Sequence, residues 1–266
     1  MLAIIITIST AVYQRLTGPT HPKTFHVKDT EYRFELPRSQ NGYSDALIRL
    51  RIDDPEVNGY IYYKRYPTEE KWDTIYLYRE NGELIGWLPR QKAAGKLIYG
   101  IDLFKGDQEL QIEDREEVII RYKSEVPVYV LIPHILLIFS AMLFSNLTGM
   151  YAMAKIPFYR LYTLITLILF LLGGMILGPI VQKYAFGEFW TGFPLGGDLT
   201  DNKALIAFIM WIIAWIGNRK RGDRRFLVII AAVVTLIVFL IPHSVLGSEL
   251  DYESGQIKTG MIIYFL

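Results

Sequence analysis

The sequence predicts a membrane α-helical bundle of about five transmembrane helices joined to one all-β sandwich domain. Three observations point there. The 266 residues are 52% hydrophobic yet 21% charged, too apolar for an average soluble domain and too charged for a chain lying wholly in lipid. The two populations are segregated: a polar, tyrosine-rich stretch runs from about Gly18 to Val126, and long apolar runs follow from Pro127 onward. Inside the polar stretch apolar residues alternate with period two, and helical periodicity is absent. The expected organisation is a helix at residues 1–17, a β-sandwich at 18–126, and a four-helix domain at 127–266 with an outer loop at 182–203 and an outer C-terminal tail.

The helical elements follow from the apolar runs Val126–Phe144, Tyr162–Val181, Ala204–Gly217 and Phe226–Ile241. A span needs about 20 apolar residues. The third run is short and is expected to borrow an early turn from the preceding "DLTDNK". Gly174 and Gly178 form a small-xxx-small pair, read as ordinary helix packing. The N-terminal "MLAIIITISTAVYQRLTG" is apolar only to about Tyr13, a reach of roughly 20 Å. It lacks a basic leader region, so it reads as a fifth spanning helix, short or missing its beginning, that anchors the chain.

Charge sets the expected orientation. The loop "GNRKRGDRRF" carries Arg219, Lys220, Arg221, Arg224 and Arg225 against Asp223, and the loop after the first run adds Lys155 and Arg160. Both are expected on the cytoplasmic side. Alternation then places the β domain, the 182–203 loop and the tail outside, on the periplasmic side of a bacterial inner membrane. The second to fourth runs hold no Asp, Glu, Lys, Arg or His before their ends. That argues against ion-coupled transport, which buries ionisable groups at mid-membrane.

The β elements follow from alternation and turn chemistry. In "GKLIYGIDLF", Leu97, Tyr99, Ile101 and Leu103 share one face. Asn81-Gly82 and Gly106-Asp107 each separate two strand-like runs, as hairpin turns do. About seven to nine short strands are expected. The tyrosines Tyr60, Tyr62, Tyr63 and Tyr66 read first as sheet formers and second as a contact surface. The stretch "GYIYYKRYPTEEKWDTIYLYRENGELIGWLPRQKAAGKLIYGIDLF", with its Trp-bearing strand, its "LP" edge and "GKLIYGI", resembles an immunoglobulin-like or fibronectin-III-like domain of exported bacterial proteins. The resemblance implies an immunoglobulin-like sandwich that binds or spaces. Through "YQRLTGPTHP", "FWTGFPLGGDLTDNK" and "IPHSVLGSELDY", the whole chain also resembles bacterial inner-membrane proteins that join one exported β domain to several helices, and to which no activity is attached.

Composition narrows the chemistry. With no cysteine, disulfides, thiolate metal sites and thiol nucleophiles are excluded, and a net charge of +1 gives no reason to invoke nucleic acid. The tetrapeptide "LIPH" occurs twice, placing His134 and His243 near the same outer level, roughly 9–14 Å inside the polar boundary. Glu188, Asp198, Asp201, Glu249 and Asp251 are expected at that level too. Imidazole and carboxylate together suit zinc, manganese or iron, and facing histidines suit haem b, so His134 and His243 are the candidate cofactor ligands. The simpler reading is that each histidine answers a carbonyl freed by the neighbouring Pro133 or Pro242. The leading functional expectation is a non-catalytic accessory or scaffold subunit in the lipid bilayer, docking other membrane or periplasmic subunits. The alternatives are a metal- or haem-binding redox protein and an outer-face hydrolase or transferase on Asp198, Asp201 and Glu249.

Overall fold

In the computed structural model, which describes residues 1–219, 223–242 and 247–258, the alternating stretch folds into β sheets and the apolar runs into helices. The chain divides into two compact units. One comprises Met1–Pro19 and Val126–Ser248; the other comprises Thr20–Glu125 and Glu249–Lys258. The Glu249–Lys258 segment of the C-terminal tail, expected with the helices, lies in the β unit.

The β unit is built from β1 (Lys23–His26), β2 (Arg33–Leu36), β3 (Ser39–Asn41), β4 (Ala46–Leu50), β5 (Val57–Arg65), β6 (Asp73–Tyr76), β7 (Tyr78–Glu80), β8 (Glu83–Leu88), β9 (Lys96–Lys105), β10 (Gln108–Leu110) and β11 (Val118–Lys123). The tail adds β12 (Glu249–Leu250) and β13 (Ile257–Lys258). The larger sheet has the order β3-β11-β9-β5-β6, with β10 also paired to β9; β3 and β11 run parallel and the other pairs antiparallel. A second sheet has the order β4-β8-β7, and β1 pairs with β2. The eleven strands described between Lys23 and Lys123 exceed the expected seven to nine. The surplus comes from the β1–β2 hairpin and from three-residue strands, which are too short to display alternation.

Alternation sorts the faces. In β4, Ala46, Ile48 and Leu50 are fully buried while Leu47 and Arg49 face outward. Together with Leu84 and Leu88 of β8, Ile61 of β5, and Leu97, Tyr99 and Leu103 of β9, they form one core between the two sheets. The layers approach closely at Gly86, where a Cβ would stand 2.8 Å from Ile61 Cδ1 and 2.9 Å from Leu77 Cδ2. Asn81 and Gly82 both adopt positive φ, 50° and 81°, so the Asn-Gly turn closes the β7–β8 hairpin as the sequence predicts.

The helices are α1 (Leu2–Thr17), α2 (Val128–Met153), α3 (Tyr159–Phe170) continued by a π-helical segment Leu171–Leu177 into α4 (Gly178–Phe186), α5 (Leu199–Asn218) and α6 (Arg225–Leu240). Three are long and apolar enough to cross a membrane: Val128–Met153, the continuous Tyr159–Phe186, and Leu199–Asn218. The 16 residues each of α1 and α6 extend only about 24 Å, less than a ~30 Å hydrocarbon core. The expectation of about five spanning helices is thus met at the level of five apolar helical segments, three of them of spanning length. In α6 the stop is chemical: Ile241 turns extended (ψ 121°) ahead of Pro242, whose ring disfavours helix in the preceding residue.

Small residues and short polar side chains join the helices. A Cβ on Gly149 would lie 2.6 Å from Ala232 Cβ of α6, and one on Gly173 would lie 2.9 Å from Leu137 Cβ of α2. The Gly174/Gly178 pair meets its neighbours only at 3.6 Å or more, ordinary packing as expected. The fully buried Trp211 of α5 donates its indole N–H to Thr235 Oγ1 of α6 at 2.9 Å, and Asn146 of α2 donates to Thr7 Oγ1 of α1 at 3.0 Å.

Gly59 is the β position least able to accept a side chain, because a Cβ would stand 2.4 Å from the Asp102 carbonyl oxygen, which is backbone. Gly59→Ala is expected to cost the β unit about 1–3 kcal/mol, read as a lowered urea midpoint of the full-length protein by tryptophan fluorescence.

Candidate functional site

A buried polar cluster of the helical unit surrounds the start of α5. Asp198 is the N-cap: its Oδ1 accepts from Thr200 N at 2.8 Å, answering one of the amides a helix start leaves unpaired. Its Oδ2 accepts from Ser248 N at 2.9 Å. The Ser248 hydroxyl lies 2.9 Å from both Asp198 Oδ2 and Thr191 Oγ1, able to donate to one at a time. One turn into the helix, Asp201 Oδ2 accepts from Thr191 N at 2.7 Å and Thr191 Oγ1 at 3.1 Å. Gln182 of α4 donates to Thr191 Oγ1. Thr191, Asp198, Asp201 and Ser248 are all buried. The chemistry is that of a clasp: two carboxylates hold the loop after α4, the N-terminus of α5 and Ser248 through accepted N–H and O–H bonds.

A second polar knot stands where α6 stops. Lys203 of α5 donates from Nζ to the Ile241 carbonyl at 2.7 Å and the Pro242 carbonyl at 3.2 Å. Gln14 of α1 donates to the Phe239 carbonyl and, at 3.2 Å, to Ile241 O. These carbonyls have lost helical partners because the helix ends before Pro242, so a cation at this C-terminal end also matches the helix dipole.

His134 is half-buried on α2, and its Nδ1 lies 2.9 Å from the Gly173 carbonyl oxygen. A carbonyl only accepts, so Nδ1 carries the proton and Nε2 holds the lone pair. Gly173 sits in the π-helical segment, and its carbonyl also accepts from Gly178 N, five residues on. The first LIPH histidine therefore answers a carbonyl at an irregular turn of another helix rather than one beside Pro133. At the second LIPH the carbonyls are answered by Gln14 and Lys203; His243 itself lies outside the described residues.

The remaining named carboxylates separate. Glu188 is exposed just beyond Gly187, which ends α4 with φ 93°. Glu249 and Asp251 belong to the β unit. Lys96 of β9 pairs with Glu249, and Leu250 N donates to Ala94 O at 3.0 Å. Tyr252 O–H donates to the Lys96 carbonyl at 2.8 Å and accepts from Lys96 N at 2.9 Å, while Arg65 lies over its ring at 5.3 Å. Burial pushes the Tyr252 hydroxyl up to about 12, so it remains a donor at physiological pH. Asp251 accepts from Lys258, Ser254 and Glu253 N, which together hold its carboxyl well below the usual carboxylate range.

Of the seven named positions, the structure thus brings Asp198 and Asp201 into one cluster, and places His134 at the π-helical turn and Glu249 and Asp251 in the hairpin. Among the described residues, no three His, Asp or Glu side chains converge in the manner of a metal site. Sequence reasoning missed Gln182, Thr191, Lys203 and Ser248. A capping reading of "GGDLTD" would have found the role of Asp198, but no local signal announces Ser248, fifty residues away. Comparison of the chain with family models, curated proteins and solved structures finds no match.

Two outcomes follow from this geometry. Asp198→Ala is expected to destabilise the helical unit by about 1–3 kcal/mol in thermal unfolding of the detergent-solubilised protein. Asp198→Asn should cost less, since asparagine caps a helix but presents only one accepting oxygen. The Asp251 carboxyl is depressed on folding, so its stabilisation is fully present above the ordinary aspartate pKa of about 3.9 and is lost as pH falls toward the lower folded value. Hydrogen-exchange protection of the Glu249–Lys258 hairpin should accordingly hold from pH 8 to 5 and decline below about pH 4.

Proposed function

We propose that the chain is a non-catalytic accessory or scaffold subunit of a bacterial membrane complex, whose helices lie in the inner membrane and whose β domain docks an exported partner. The observation that carries the reading is the outward face of the larger sheet. Register pairs Tyr60 of β5 with Tyr76 of β6, and the rings of Tyr60 stand 6.2 Å from Tyr76 and 5.7 Å from Phe104 of β9. Tyr62 meets Trp72 edge-on at 5.2 Å, Lys64 lies over Trp72, and Arg115 lies over Tyr62 while pairing with Asp102. Tyr76 is 78% exposed and Trp72 44%. Contiguous exposed aromatics flanked by arginine and lysine are the composition of contact hot spots.

The strand order supports an immunoglobulin-like sandwich: β4-β8-β7 matches the B-E-D sheet, and β11-β9-β5-β6 matches G-F-C-C′. Three helices of spanning length and the basic 219–225 loop support insertion with the β domain outside. Photo-crosslinkers at Trp72 and Tyr76 of the membrane-embedded protein should trap one common partner, and one at Trp87, on the outer face of the other sheet, should not. Alanine at Trp72 and Tyr76 together should weaken that partner's binding about ten-fold or more. Equal trapping from Trp87, or none from either aromatic position, removes the docking reading.

A second reading, a metal- or haem-binding redox protein, draws on one observation. The His134 Nδ1–H bond to a backbone carbonyl is the arrangement that fixes a ligating imidazole with Nε2 as the donor atom. Bound metal or a Soret band in gently purified protein, lost in His134→Ala and His243→Ala, supports it; a metal-free, colourless preparation leaves the docking subunit.

A further inference from the structure

We propose that the groove between α3 and α5, at the end of the helical unit that bears the basic loop, is a binding site for one anionic phospholipid. The inference rests on the membrane-spanning reading above. The groove is open, about 480 Å³ in volume, and is lined by Arg160, Leu161 and Leu164 of α3 and by Trp215, Asn218 and Arg219 at the end of α5. Arg160 stands in the first turn of α3 and Arg219 follows the last residue of α5, so both arginines mark one terminal level of the two helices. Leu161, Leu164 and Trp215 continue from that level along the helices, and the two leucines are exposed.

Both arginines are held by aromatic side chains. Arg219 lies over the Trp215 ring at 5.4 Å. Arg160 donates from Nε to the Tyr159 hydroxyl at 3.2 Å, which in turn donates to Asp223 at 2.8 Å. Asp223, the neighbouring carboxylate, pairs with Arg225 at 2.7 Å and is reached by Arg160 through Tyr159, so this one carboxylate stands against Arg160, Arg219 and Arg225. Asn218 fixes the mouth: its Nδ2 donates to Ala214 O and Arg224 O, and its Oδ1 accepts from Arg224 N at 2.9 Å. Paired guanidinia above an aliphatic and aromatic channel complement an anionic headgroup with its acyl chain, whereas a free phosphate would use only the upper half.

The test is native mass spectrometry of the full-length protein in detergent with equimolar dioleoylphosphatidylglycerol and dioleoylphosphatidylcholine. The wild-type protein should retain the anionic phosphatidylglycerol preferentially, and Arg160→Gln/Arg219→Gln should reduce that preference about ten-fold or more. Lys155→Gln, a charge removed from the same side but outside the groove, should leave it unchanged. Leu164→Trp keeps both arginines but fills the channel, and should weaken retention of the phosphatidylglycerol. Equal retention of both lipids, a Lys155→Gln effect as large as that of the double variant, or displacement by millimolar inorganic phosphate overturns the proposal. Carbonate extraction of protein inserted into pure phosphatidylcholine vesicles separates the two readings. Protein that is extracted loses the spanning reading itself; protein that stays embedded without lipid preference loses only this site.

Discussion

Where helices of the apolar unit are interrupted, backbone groups lose their helical partners, and at three such places side chains supply new ones. A buried carbonyl or amide without a partner costs free energy comparable to a lost hydrogen bond, and far from water nothing else can serve. His134 answers the carbonyl at the π-helical turn, Gln14 and Lys203 answer the end of α6, and Asp198 and Asp201 answer the start of α5 and the loop before it. Asp198 caps its own helix and Asp201 reaches back ten residues, whereas the bonds of His134, Gln14 and Lys203 join elements far apart in sequence. The residues that look most chemical in an apolar sequence are therefore also the ones that fix which helix lies beside which.

The β unit solves the same problem by other means. Its backbone groups pair along ladders, and its difficulty is fit rather than satisfaction. Gly59 and Gly86 let strand and sheet approach closer than any side chain allows, and Tyr62 lies across Gly100 on the outer face, where a Cβ would stand 2.3 Å from the ring carbon bearing the hydroxyl. Covering a glycine with an aromatic ring stabilises the sheet and also spreads that ring over the surface. The aromatic face is in this sense a by-product of packing that became available for contact.

The sequence displayed what repeats and hid what does not. Alternation exposed β9, Asn81-Gly82 exposed its hairpin, and the apolar runs exposed the helices, because each signal lies within a few residues. The premature stop of α6 was also legible, in Ile241-Pro242. Three-residue strands carry no period, and the pairing of β12 and β13 beside β9 joins residues some 150 positions apart. In the candidate site, Asp198 and Asp201 stand three apart on one helix and were visible as a pair. Their partners Thr191 and Ser248 are common residues whose importance comes only from where the fold brings them. Glu249 and Asp251, though near Ser248 in sequence, serve the other unit, a division that no local pattern encodes.

The hairpin that completes the β unit has a temporal consequence. Glu249–Lys258 is made last among the described residues, after the five helical segments, yet Lys96 and Ala94, which receive it, are made before α2 begins. During synthesis the β unit must wait, with Lys96 and the Tyr252 seat unfilled, until the helices have been laid down. Chains generally fold in the order they emerge. Here the final step of one unit is withheld until the other has been made, so a β unit with Tyr252 bonded to Lys96 is a chemical record that translation has passed the apolar helices.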